Sequence, residues 1–99
     1  MILRSVNDDK AFWLKTSDHD LVCVCHNLQE LLDCLKKSSV DAISFHMRNE
    51  RNDFVDWVSE VLGDQILARE LRNIKAKDWV NMRLSLIKKI KNRIKKITG

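Results

Sequence analysis

Glycine occurs only at Gly63 and Gly99, and proline does not occur at all. A backbone cradle for phosphate needs several closely spaced glycines, so neither a dinucleotide fingerprint nor a nucleoside-triphosphate loop can be written anywhere along this chain. Rossmann and P-loop functions are thereby excluded, and what remains is a compact, mainly helical domain. Its 99 residues suffice for one core and not for a multidomain enzyme. A hydrophobic fraction of 44% marks a chain that folds, since disordered chains are poor in apolar residues.

Charge is distributed unevenly. Residues 1–70 carry 8 Lys and Arg against 13 Asp and Glu, a balance of −5, whereas residues 71–99 carry 10 against the single Asp78, a balance of +9. Such asymmetry suits a basic arm that meets phosphates, or an acidic body and a basic tail that pair with each other.

The first quarter reads as extended. Residues 11–16 and 21–25 are short apolar runs rich in β-formers, parted by Ser17, Asp18, His19 and Asp20, which favour turns. This predicts a β-hairpin whose second strand, apolar on both faces, lies inside the fold. Met1 to Val6 is a candidate third strand. Helices follow. Asn27 and Glu30 form a capping-box pattern ahead of a stripe of Leu28, Leu31, Leu32 and Leu35, predicting a helix over 28–37. A second is predicted over 40–48 behind Ser38 or Ser39. A third carries Phe54, Trp57, Val58, Val61 and Leu62, with Asn52 or Asp53 as its cap and Gly63 as its stop. Asp64 then caps a fourth with Leu67, Leu71 and Ile74, and a last helix spans about 78–97.

At 100° per residue the last helix is amphipathic: Trp79, Val80, Leu84, Leu86, Ile87, Ile90, Ile94 and Ile97 fall within roughly half its circumference. Opposite them lie Lys88, Lys89, Arg93, Lys95 and Lys96, with Lys91 on the border, and no acidic residue follows Arg83. Arg83 falls within the apolar arc and is expected to pair with an acidic residue of the body. Three readings suit this face: a solvated surface that complements the helix dipole, a track for nucleic-acid phosphates, or a helix lying in a lipid interface. Nothing in it supplies the Arg or Asn arrangement that reads base edges.

A second concentration of polar chemistry surrounds the junction between helices two and three, where His46, Asn52, Asp53 and Trp57 cluster. A histidine held by a carboxylate can serve as general base, with Ser44 or Ser59 as nucleophile. The architectural reading, preferred here, is that Asn52 and Asp53 cap a helix while a hydrogen-bonded His46 fixes the angle between two.

These residues resemble a family of small bacterial and archaeal domains of unknown function. In that pattern an aromatic-rich opening and a Leu-rich helix precede His, then Asn-Asp-Phe, Trp, Gly-Asp and Leu-Ala. The matching positions are Phe12, Leu28, Leu31, Leu32, Leu35, His46, Asn52, Asp53, Phe54, Trp57, Gly63, Asp64, Leu67 and Ala68. Arg48 stands where the family often has Asn. The resemblance spans roughly residues 11–70 and implies a discrete domain without implying an activity, and the basic helix lies largely outside it.

Three cysteines, Cys23, Cys25 and Cys34, are an odd number for a disulfide framework and are expected as reduced, buried thiols. With His26 they make four possible zinc ligands, but a single residue separates Cys23 from Cys25 on an apolar strand, unlike the knuckles of structural zinc sites, so no metal is expected. The amino terminus turns acidic before an apolar leader segment can develop, and no stretch approaches the roughly 20 apolar residues of a membrane helix.

The sequence therefore predicts an α+β, mostly α protein: a short N-terminal β-hairpin packed on about five helices. Residues 1–76 form an acidic α+β domain, and residues 77–99 a basic amphipathic helix packed on the same domain. The expected function is a cytoplasmic, non-enzymatic protein without cofactor that binds the nucleic-acid phosphate backbone through Lys88, Lys89, Lys91, Arg93, Lys95 and Lys96. The alternative is a protein-interaction or regulatory module, self-associating through acidic body and basic helix. No integral membrane association is expected.

Overall fold

The structure, a computed structural model, describes residues 3–99. Two antiparallel strands, β1 (Phe12–Ser17) and β2 (Asp20–Cys25), are followed by α1 (Leu28–Lys37), α2 (Val40–His46), α3 (Asp53–Trp57), α4 (Gln65–Arg72) and α5 (Trp79–Thr98). Short 3-10 turns occupy Asp8–Lys10 and Arg48–Glu50, and α3 runs on into a wider π turn over Val58–Leu62. The architecture is the mostly helical α+β arrangement that the sequence predicts.

Side-chain caps set the starts of α1, α3, α4 and α5, while Ser39, expected to cap α2, makes no such bond. Asn27 accepts from the Glu30 amide, Asn52 from Val55, Asp64 from Leu67 and Asp78 from Asn81, each satisfying one amide that the helix cannot. Glu30 closes its box one residue earlier than the pattern predicts, taking the His26 amide at 2.8 Å. The cap of α3 is Asn52, and Asp53 is the first helical residue, free to point elsewhere. Gly63 ends the π turn with φ of 75°, a left-handed conformation that glycine adopts without a Cβ penalty.

The hairpin is less buried than its composition suggests. The residues between its strands, Asp18 and His19, have no positive φ, which excludes the primed turns that match strand twist, and the register shifts on both sides of Lys15. Phe12, Leu14 and Cys25 face the core, but Leu21 and Val22 are exposed, as is Trp13. The expectation that β2 lies inside the fold is corrected: with two strands and helices on one face, the other face stays open to solvent. Residues 3–6 form no strand; the Val6 amide instead donates to the His26 carbonyl at 2.8 Å, and the rest of the suggested third strand, Met1 and Ile2, lies outside the described residues.

One core joins these elements. Phe12 stacks on Phe54 with centroids 5.1 Å apart and meets Trp57 edge-on, while Leu28, Leu31 and Leu35 of α1 pack beneath Leu86 and Ile90 of α5. Burying side chains of this size contributes about 1.5–3 kcal/mol each. Two arginines of α5 then exchange the roles assigned to them. Arg83, expected on an acidic partner, donates to the carbonyls of Leu35 and Lys36 at 3.1 and 2.8 Å, closing the end of α1. Arg93 is the one that meets an acid: its Nε and Nη2 donate to Asp64 Oδ2 and Oδ1 at 2.8 and 3.2 Å. The Asp64 side chain is 1% exposed and that of Arg93 13%.

Breaking a buried pair strands the remaining charge, which costs about 3–5 kcal/mol. Arg93→Gln is therefore expected to lower the melting temperature by more than about 10 °C in a chain of this size, read by circular dichroism. Lys95→Gln, a solvated neighbour on the same helix, is expected to melt with the wild type.

Candidate nucleic-acid interface

The solvent side of α5 is built from lysines that nothing within the fold holds. Lys88, Lys89, Lys91, Lys95 and Lys96 are all exposed, and among the described residues none of them makes an ion pair. Leu86 and Ile90 anchor the opposite side in the core, with Met82, Ile87 and Ile94 packed against it, so the helix cannot roll and the lysines cannot turn inward. From Lys88 to Lys96 the axis advances about 12 Å. A cleft of about 360 Å³ opens at one edge of this face, lined by Lys89, Asn92, Arg93 and Lys96 with Glu70 of α4 opposite.

Arg93 does not share the solvent face assigned to it. With its guanidinium committed to Asp64, it contributes a wall of the cleft and not a free cation, so the open face consists of ammonium groups alone. The apolar arc is also divided. Trp79, Val80 and Leu84 are 42%, 56% and 53% exposed, whereas Met82, Leu86, Ile87 and Ile90 of the same helix pack on the core.

His46, Asn52, Asp53 and Trp57 do come together, each tied to a particular partner. His46 Nε2 accepts the backbone N–H of Lys15 at 2.9 Å, which requires the tautomer with hydrogen on Nδ1, and that nitrogen donates to Asp53 Oδ2 at 2.9 Å. Phe12, Phe45 and Phe54 surround the ring. Burial holds its pKa below the usual 6.5, outweighing the Asp53 carboxylate that pulls the other way. Trp57 Nε1 donates to the Lys10 carbonyl at 2.8 Å, tying α3 to the segment before β1. Ser44 and Ser59 do not approach the imidazole; their hydroxyls donate to the Asp41 carbonyl and to Gln65 Oε1. The cluster thus has the geometry of a brace, its ring nitrogens both occupied. Between its halves Asn49 and Glu50 take φ of 58° and 64°, a left-handed pair without glycine that lets the chain reverse between α2 and α3.

The cysteines depart from expectation. Cys23 and Cys34 form a disulfide between β2 and α1, and only Cys25 keeps a free thiol. Burial, aided by Glu30 and opposed by Lys37, pushes that thiol up to about 12. Beside it His26 Nδ1 meets Glu30 at 2.9 Å and Nε2 meets Asp8 at 2.6 Å, and these two carboxylates, Asp8 foremost, raise its pKa.

Two signals were open to sequence reasoning and unused. Arg93 lies three residues after Ile90 and seven after Leu86, on the buried stripe of α5, and Cys34 follows Leu31 by three on the buried face of α1. The amide partner of His46 had no signal, since every residue carries an N–H. No helix among the described residues is long and apolar enough to cross a membrane. Compared with known proteins, the chain matches no family model, no curated protein and no solved structure.

Acid should test the brace with a definite sign. The unfolded chain takes up a proton on His46 near pH 6.5 and the folded chain only at lower pH, so stability is lost as pH falls through that window. Ring-nitrogen NMR is expected to show the neutral Nδ1–H form persisting below pH 6.5, and His46→Gln to flatten this part of the stability profile. Asn52→Ala should lose about 1 kcal/mol as a removed cap. Asp53→Ala should lose about 1–3 kcal/mol by orphaning the imidazole N–H, both read by urea denaturation.

Proposed function

We propose that this protein is a small, cytoplasmic, non-enzymatic binder of the nucleic-acid phosphate backbone, acting without sequence selectivity through the lysine face of α5. The observation that carries this reading is the row of five exposed lysines on one helix, none of them ion-paired among the described residues. Each lysine that neutralises a phosphate releases a condensed counterion, and the entropy of that release drives binding. Ammonium groups on flexible stems are point charges; they do not present the planar fork that reads guanine. The cleft beside Lys89 and Lys96 is wide enough for a phosphate to sit between two cations, and the neighbouring Asn92 adds a neutral hydrogen-bond donor.

A second reading, self-association or docking on another protein, is favoured by the exposed Trp79, Val80 and Leu84 at the start of α5. Sedimentation in a salt series separates the two: this reading requires a dimer and no nucleic-acid complex.

Fluorescence anisotropy with a short DNA duplex and a single-stranded RNA tests the main reading. Three to five contacts predict log affinity falling with log salt at a slope of about −3 to −4.5 for duplex DNA. Replacing Lys88, Lys89, Lys91, Lys95 and Lys96 together by Gln should abolish binding while leaving the melting temperature in place, since the Arg93 pair is untouched. Absence of binding by the wild type at low salt would refute the proposal.

A further inference from the structure

We propose that Cys23, Cys25 and Cys34 in their reduced state form a three-thiolate site for a thiophilic d10 metal ion, zinc foremost, and that the Cys23–Cys34 disulfide is the oxidised, metal-free state of the same site. Neighbouring strand residues point to opposite faces, so the single residue between Cys23 and Cys25 puts both sulfurs on the face that α1 covers. Cys34 projects from α1 onto them, and the three sulfur atoms all lie within 4.8 Å of one another. Zinc–thiolate bonds of about 2.3 Å place the sulfurs of a tetrahedral site roughly 3.8 Å apart. Opening the disulfide to that separation, with the Cys25 sulfur within 4.8 Å of both, assembles the triad.

The surroundings supply the remaining requirements. A cleft of about 350 Å³, whose lining includes Cys23, His26, Glu30, Asp33, Cys34 and Lys37, reaches Cys23 and Cys34 from solvent, with Cys25 buried behind them, and gives an ion its entry path. Both ring nitrogens of His26 are engaged by Asp8 and Glu30, so the fourth coordination position falls to water from the cleft. Three thiolates around a divalent ion leave one net negative charge, and Lys37 stands at the rim to offset it. The oxidant class is a peroxide. Cys23 and Cys34 thiolates give up two electrons and join as a disulfide, hydrogen peroxide takes those electrons with two protons to become two waters, and the ion leaves into the cleft. A dithiol reduces the disulfide to the two thiols, itself becoming a disulfide, and the site can take up the ion again with loss of the thiol protons. Disulfides in a reducing compartment are mostly transient and redox-sensing, which suits one whose third thiol is left waiting.

The full-length protein, reduced with a phosphine under anaerobic conditions, is titrated with Co²⁺ and then Zn²⁺. The expected result is a thiolate-to-cobalt charge-transfer band that saturates at one ion per chain and is displaced by one zinc, with no band from the oxidised protein. Cys25→Ser, which leaves the disulfide intact so that folding can be verified in the oxidised form, should weaken zinc binding by at least roughly 100-fold. Peroxide treatment of the zinc form should lower free thiols from three to one and release the zinc. Should the reduced chain unfold, refolding on zinc supports the site and failure to refold overturns it. It is equally overturned by a reduced wild type with no cobalt band, by Cys25→Ser binding as the wild type does, or by zinc that stays bound after peroxide.

Discussion

The carboxylate of Asp64 is the point through which the fold is held. It sits where the left-handed Gly63 stops one helix and the next begins, and one of its oxygens both caps α4 at Leu67 and receives Arg93 from α5. A charge this deeply buried is tolerable only because a guanidinium and a backbone amide together replace its water. The consequence for α5 is rotational: Arg93, Leu86 and Ile90 all point inward, so the lysines between them must point outward. Charge separation along the sequence thus becomes charge separation in space, with the acidic body beneath and the ammonium groups above.

Element types and starts were largely legible because caps and stripes are local. Asn27, Asn52 and Asp64 each announced a helix within three residues, and all three make the expected bond, whereas Ser39, offered for α2, makes no side-chain cap bond. What was illegible depends on partners distant in sequence. A helical wheel marks Arg83 and Arg93 as both near the buried side, yet only the packing of α5 shows that one reaches the carbonyls ending α1 while the other reaches Asp64. The hairpin itself was legible, but the burial of β2 was not, for a related reason: an apolar strand predicts burial on both faces, but burial needs layers, and helices cover one face only. The exposure of Lys88, Lys89, Lys91, Lys95 and Lys96 was visible in outline, whereas Arg93 is turned inward by its position on the stripe in spite of its charge.

Cys25 is deep enough that its thiol resists ionisation, while Cys23 and Cys34 meet at the edge of a cleft fringed by acids and one lysine. A strand offering two sulfurs on one face and a helix offering a third is a geometry that no linear spacing rule describes, since knuckle motifs take their ligands from turns.

Three of the ties between distant segments share a construction: His46 to the Lys15 amide, Trp57 to the Lys10 carbonyl, and Arg83 to the carbonyls of Leu35 and Lys36. In each, one end is a particular side chain and the other is main chain, which every residue type provides. Tolerance to substitution is therefore one-sided. Lys10, Lys15 and Lys36 can drift through most of the amino-acid alphabet without loosening the fold, proline being the exception: it has no N–H to offer at positions 15 and 10 and would break α1 at position 36. His46, Trp57 and Arg83 have no such latitude, so divergence among descendants of this chain will accumulate on one side of each tie and stall on the other.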